Sequence, residues 1–138
     1  MRLLLDTCVI IDWLTDADPF ERNVWDILND PGTKLYVSAE TVRELIVSFN
    51  NKKLLSKYWK TAEEMLVAMK EEAMVDILPI SERTMFTYSR LTLNEAMDHR
   101  DPSDHVIIAH AITEHLTLLS SDQKFAFYRS QGLDLLEY

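Results

Sequence analysis

Four acidic residues are spread along the chain, each at or near the end of an apolar segment: Asp6, Glu44, Asp104 and Asp122. Asp6 follows Leu3-Leu4-Leu5, and Asp122 follows Leu118-Leu119-Ser120-Ser121. If both runs are buried parallel strands, the two carboxylates emerge at the carboxyl edge of one sheet, where open α/β folds place their ligands. Carboxylates without a cysteine or histidine frame suit a hard divalent cation, Mg²⁺ or Mn²⁺. Such an ion polarises a phosphate oxygen and lowers the pKa of an attacking water, which is the chemistry of phosphodiester hydrolysis. Thr7 and Ser120 or Ser121 carry hydroxyls that can orient ligand waters. Two carboxylates about 6 Å apart repel by roughly 3 kcal/mol at an effective dielectric near 20. Several such pairs weigh heavily on a total stability of about 5–15 kcal/mol, unless a cation or a shared proton relieves them.

Each acid also has a purely structural explanation. Asp104 fits the acid of a capping box, Asp122 can cap the segment 123–127, and Glu44 can pair with its neighbours at the surface. Asp6, straight after an apolar strand, is the hardest to explain that way. Asp101 fits a helix N-cap so well that its expected duty is structural, with support of the metal ligands as a further one. Cys8 is the single cysteine, so it forms no internal disulfide and reads as a small buried hydrophobe. The histidines are not expected to form a competing zinc site. His105 and His110 are five apart and point about 140° away from each other at helical pitch, and no HxxxH pair exists.

These side chains need a scaffold, and the apolar periodicity predicts one. Residues 2–6 read as a buried strand, followed by a helix over 7–14 with Val9, Ile10, Trp13 and Leu14 on one face. Pro19 opens a second helical pattern, Asp30-Pro31-Gly32 is a turn, and 34–37 is a second strand. Ser38 is the N-cap of a helix carrying Glu44, and a long helix is predicted over 54–73. A third strand spans 75–78 and Ser81 caps a helix to about Leu91. Asp101-Pro102-Ser103-Asp104 starts a largely apolar helix to about His115. Residues 116–119 form a fourth strand, 122–128 a short helix and 133–136 a fifth strand. Strands alternating with helices predict an α/β fold in three layers, a parallel sheet covered on both faces. Asp6 and Asp122 then meet only if strands 1 and 4 are neighbours.

The chain has 138 residues, 47% of them hydrophobic, which suits a single domain over 1–138 with one sizeable core. No apolar run approaches the roughly 20 residues needed to span a bilayer, and Asp6 interrupts the start too early for a signal peptide. A cytoplasmic protein without membrane contact is the expectation. With 14 Lys+Arg against 23 Asp+Glu the net charge is −9, which argues against general salt-driven binding of long nucleic acid. A local patch can still hold phosphates: Lys52, Lys53, Lys57 and Lys60 surround Tyr58 and Trp59, and Lys52 and Lys53 are the candidate substrate-binding residues.

These residues resemble the PIN-domain ribonucleases, and in particular the VapC-type toxins of prokaryotic toxin–antitoxin pairs. The resemblance covers nearly the whole length. It rests on Leu-Leu-Leu-Asp-Thr at 3–7, Tyr-Val-Ser-Ala-Glu-Thr-Val-Arg-Glu-Leu at 36–45, His-Arg-Asp-Pro-Ser-Asp-His-Val-Ile-Ile-Ala-His-Ala at 99–111 and Leu-Leu-Ser-Ser-Asp-Gln-Lys-Phe at 118–125. It implies a PIN-like sheet of about five strands in the order 3-2-1-4-5. It also implies an acidic quartet Asp6, Glu44, Asp104 and Asp122 binding Mg²⁺ or Mn²⁺, with Ser120 at a metal-site hydroxyl position. Similar toxins cleave RNA and are silenced by a cognate antitoxin wrapping the dimer, so an RNA substrate, an antitoxin and a homodimer are the implied partners. Related chains often read Asp-Pro-Phe-Asp-Arg over 101–105; here Ser103 and His105 stand in that segment, and a cation near the site is missing.

Two other classes share part of this pattern. A phospho-receiver domain is also acidic and α/β, but it needs a phosphoacceptor Asp at the end of strand 3, where Leu78-Pro79 stands. A catalytically silent PIN-like binding module has no need of the intact quartet. Trp25, Tyr58 and Trp59 are candidate exposed aromatics for a dimer contact.

Overall fold

The computed structural model describes every residue except Lys53, Leu54 and the side chain of Lys52. Among the described residues five strands form one parallel sheet: β1 (Arg2–Leu5), β2 (Lys34–Ser38), β3 (Val75–Leu78), β4 (Thr117–Ser120) and β5 (Asp134–Glu137). Their order is β3-β2-β1-β4-β5, with Leu4 in register with Tyr36 on one side and Leu118 on the other. The α-helices are α1 (Thr7–Thr15), α2 (Arg22–Leu28), α3 (Ala39–Lys52), α4 (Ala62–Glu71), α5 (Glu82–Arg90) and α6 (Pro102–Glu114). A 3₁₀ turn covers Leu55–Lys57 and a 3₁₀ helix covers Gln123–Gln131.

Side chains alternate across a strand, so the leucines of β1 are shared between two cores. Leu3 and Leu5 pack with Val9, Leu45, Phe49 and Met65 on one face. Leu4 packs with Ile107, Ile108, Phe125 and Tyr128 on the other. All three leucines are fully buried, which is why β1 reads as an uninterrupted apolar run. The chain leaves β1 into α1 on the first face and leaves β4 into the 3₁₀ helix on the second. Adjacent strands whose continuations part to opposite faces open a crevice at their carboxyl ends. The three-layer α/β expectation and its strand order therefore hold.

Several boundaries differ from the sequence reading. The single helix predicted over 54–73 is instead the 3₁₀ turn Leu55–Lys57 and the separate α4, with residue 54 outside the described residues. Thr61 causes the break: it is extended at φ −132°, its hydroxyl accepts from Glu64 N at 3.1 Å, and the Glu64 carboxylate accepts from Lys60 N at 2.9 Å. That is a reciprocal N-terminal cap, which starts a helix and cannot lie inside one. The pattern opened by Pro19 becomes helical only at Arg22, because Phe20 turns into the core and meets Trp25 edge-on at 5.2 Å. Trp25 is thereby half-buried inside the chain and not a free surface aromatic. Asp6 lies just past β1, and β4 and β5 each sit one residue later than expected. No helix among the described residues is long and apolar enough to cross a membrane.

Candidate metal centre

Asp6 is the N-cap of α1: the backbone is extended there, and Oδ1 accepts from Thr7 N at 2.8 Å. Its other oxygen, Oδ2, accepts from the Ser120 hydroxyl at 2.7 Å and from the Cys8 thiol at 3.3 Å. Ser120, fully buried at the end of β4, in turn accepts from Asp122 N at 3.0 Å. One hydroxyl thus ties Asp6 and Asp122 across the β1–β4 junction. Asp122 caps the 3₁₀ helix through Oδ1, which accepts from Lys124 N at 2.9 Å. Burial raises the Asp6 carboxyl above its usual range, and the charge of Asp122 adds to this, while the Ser120, Cys8 and Thr7 bonds pull the other way. The Cys8 thiol is pushed up to about 11 by burial and by Asp6, so it is a protonated donor and not a nucleophile.

Asp104 comes from the first turn of α6, whose start is fixed by Asp101 accepting from Ser103 N at 3.0 Å and by Pro102. Burial, then the fields of Asp6, Asp101, Asp122 and Glu44, lift the Asp104 carboxyl to about 8. Its Oδ2 lies 2.9 Å from His99 Nε2. His99 Nδ1 lies 3.0 Å from the Tyr128 hydroxyl, which accepts from Asn94 N at 3.0 Å. Since the Asn94 N–H can only donate, the tautomer assigned from these partners has Tyr128 donating to Nδ1 and Nε2–H facing Asp104. Burial lowers the His99 pKa, so ring and carboxyl meet as neutral partners at pH 7 rather than as an ion pair. Asn94 secures the loop ahead of α6 by a second bond, from its side-chain amide to Lys124 O at 3.1 Å.

Glu44 is half-buried on α3 and accepts from the Thr7 hydroxyl at 2.6 Å. Thr7, the residue after Asp6, therefore links α1 to α3. Burial raises the Glu44 carboxyl, the Thr7 bond opposes this, and Asp101, Asp6 and Glu40 add repulsion. Beside it Arg43 donates to Glu40 through Nε at 3.0 Å and to the Ser103 hydroxyl through Nη2 at 2.9 Å. Ser103 donates onward to Glu40 at 2.8 Å.

The fold brings the four sequence-predicted acids into one electrostatic neighbourhood, but not into one ligand-sized group. Among the described residues, ligand atoms of Asp104, Asp122 and His99 lie within 4.8 Å of one another. Asp6 joins through Ser120 and Glu44 through Thr7. His99, to which the sequence assigned no role, has its ring buried against Asp104. Its signal was absent from helical periodicity because it precedes α6 and is held by Tyr128, 29 residues later. His105 and His110 do stand apart: His105 donates to His99 O at 3.0 Å and His110 meets Ser38 Oγ at 2.9 Å, both inside the protein. Position 105 therefore faces the interior here, and α3 supplies a cation beside the acids, Arg43. Of the two candidate substrate-binding lysines, Lys53 and the side chain of Lys52 lie outside the described residues. The donor set fits a hard divalent cation: carboxylate oxygens of Asp104 and Asp122 close together, acid crowding that a positive charge would relieve, and a His99 N–H that holds one oxygen of Asp104 in place.

The PIN domain family model matches residues 3–130, and the chain is a member of the PIN domain family. Its fold is similar to that of VapBC-1 from nontypeable Haemophilus influenzae, at 22% identity and TM-score 0.72 over 99% of this chain and 98% of that one. It is similar to FitAcB from Neisseria gonorrhoeae, at 25% identity and TM-score 0.67 over 98% and 96%. A third similar structure is VapBC-5 from Mycobacterium tuberculosis, a member of the VapBC family of toxin-antitoxin systems, at 21% identity and TM-score 0.64 over 99% and 98%. No curated protein sequence matches the chain.

Proposed function

We propose that this PIN domain is a metal-dependent endoribonuclease, the toxin of a toxin–antitoxin pair, using Mg²⁺ or Mn²⁺. The observation that carries the reading is the crowding around Asp104, whose carboxyl is driven to about 8 by burial and four neighbouring acids. Asp104, Asp122 and Asp6 are the residues that would hold the cation, with Glu44 completing or orienting the set. When bound, the ion would supply charge to a scissile phosphate oxygen and acidity to the attacking water. Ser120 fixes the spacing of Asp6 and Asp122, and His99 holds one oxygen of Asp104. Thr7 aims Glu44, and Asp101 fixes the helix start that presents Asp104. Groups that orient metal ligands in this way commonly govern metal affinity by 10–100-fold.

The partners of this reading are an RNA substrate, a cognate antitoxin and a second copy of the chain, in the cytoplasm. The likeness to members of the VapBC toxin–antitoxin family supports the antitoxin. A net charge of −9 suits a partner with basic segments. Tyr58, 52% exposed, remains a surface aromatic for a dimer contact, whereas Trp59 is half-buried against the core as Trp25 is. The test is cleavage of RNA by rigorously purified protein with Mn²⁺, with excess EDTA, and after Asp6→Asn. Cleavage is expected only in the first case; cleavage that survives both EDTA and the substitution sinks the mechanism.

A further inference from the structure

A cleft of about 310 Å³ opens between α1 and α3 beside the acids, with Ile11, Arg43, Glu44, Val47, Asn51 and Ser103 among its lining residues. We infer that this cleft is a nucleotide subsite, in which Arg43 anchors the phosphate next to the one hydrolysed and Asn51 reads the base; the inference rests on the ribonuclease reading above.

Two independent observations support it. The first is the state of Arg43. Its side chain is 57% exposed, yet three hydrogen bonds tie it down: Nε and Nη2 to Glu40, and Nη2 to Ser103, 60 residues away on α6. An exposed arginine ordinarily loses its conformational freedom only when it binds something; here that cost is met in advance. The bonds use Nε and Nη2, so the Nη1 edge of the guanidinium lies outside them, and a planar guanidinium suits a phosphate better than an ammonium does. It also stands in the fields of Glu44 and Asp101, which places it at the rim of the acidic cluster.

The second is the make-up of the cleft. Ile11 and Val47 give it apolar walls for the face of a base, and Asn51 offers an amide with both donors and an acceptor for the base edge. Its volume sits at the lower end of the ~300–1,000 Å³ usual for small-molecule sites, the scale of one nucleotide rather than an extended strand. Glu44 borders it, so an occupant is adjacent to the proposed reaction centre. A larger cleft of about 540 Å³ along α4 is lined by Glu63, Glu64, Glu71 and Glu72, which repel a polyanion.

The experiment is single-turnover cleavage of a short random-sequence single-stranded RNA with Mn²⁺, run at several salt concentrations, for the wild type and the Arg43→Gln, Arg43→Lys and Asn51→Ala variants. Arg43→Gln is expected to raise the half-saturation concentration about tenfold and to change the maximal rate far less. Its log–log salt slope should fall by about 0.7, the loss of one phosphate contact on a single strand. Arg43→Lys should keep the wild-type slope, and Asn51→Ala should redistribute the bases flanking the cut. An unchanged half-saturation and slope for Arg43→Gln leaves the cleft to a protein partner and overturns the phosphate anchor. An unchanged cleavage spectrum for Asn51→Ala overturns the base contact. If the wild type cuts no RNA with Mn²⁺, the ribonuclease reading fails first and this one with it.

Discussion

Replacing Asp104 by Asn should stabilise the metal-free protein while destroying its proposed activity. The folded-state carboxyl sits near 8 against an ordinary 3.8, so the folded protein holds a proton that the unfolded chain releases near pH 4. As pH rises from 4 to 8 the unfolded state is progressively favoured, and stability is lost through that window. By pH 7 the interval above 3.8, about 3 pH units, corresponds to roughly 4 kcal/mol. The side chain is 18% exposed, and solvent screening with local relaxation halves this to about 2 kcal/mol. Asn keeps an acceptor for His99 Nε2–H and loses the charge, so Asp104→Asn recovers most of that amount, a rise of about 6–8 °C in melting temperature. Melting in EDTA at pH 4 and pH 7.5 is the assay: the variants should coincide at the lower pH and separate at the higher. With Mn²⁺ at 100 times its dissociation constant the wild type should gain about 2.7 kcal/mol and the variant much less. A variant less stable than wild type at pH 7.5, or a gap independent of pH, refutes the reasoning.

Ser120→Ala removes the hydroxyl shared by Asp6 Oδ2 and Asp122 N, and should cost about 1–3 kcal/mol in denaturant unfolding, since it leaves a part-buried N–H without its partner. The same change should weaken Mn²⁺ binding 10–100-fold by calorimetry, because the ligands it spaces are no longer held. His99→Phe keeps the ring volume but strips partners from Tyr128 and Asp104; metal affinity should fall by a similar factor, with His99→Gln weakening it less. Leu4→Ala empties a fully buried position between β2 and β4 and should cost about 2–5 kcal/mol without altering metal affinity per folded molecule.

The centre of the sheet was legible because β1 and β4 are buried on both faces and so print as short apolar runs: Leu3-Leu4-Leu5 and Leu118-Leu119 are neighbours in the structure as the acids required. α6 was legible from chemistry at its start alone, since Asp101 and Pro102 take the cap and first-turn places expected of them. The break before α4 is hidden in the sequence because the apolar pattern runs across it, although Thr61 and Glu64 form a reciprocal cap there. His99 and Arg43 were out of reach for a different reason. Nothing local distinguishes them, and their meaning comes from Tyr128 and Ser103, brought in from 29 and 60 residues away.

The choice posed by the sequence, that Asp122 either caps a helix or serves the site, dissolves on inspection of its atoms. Oδ1 takes the Lys124 N–H, and the same carboxylate brings a ligand atom within 4.8 Å of those of Asp104 and His99. Asp6 is built likewise, with one oxygen on Thr7 N and the other turned to Ser120. A carboxylate tied to a backbone N–H at an element's start loses its rotational freedom and is partly stabilised as an anion there. The capping duty is therefore what aims these acids, at the two points where β1 and β4 hand the chain to opposite faces. Asp104 and Glu44, held by side chains alone through His99 and Thr7, lack that anchoring and bear the repulsion. It follows that acid-to-amide changes should separate into two kinds. At Asp104 and Glu44 they should relieve charge without disturbing a helix start. At Asp6 and Asp122 the gain from relieved charge should be set against a weakened cap, leaving metal-free stability nearer the wild-type value.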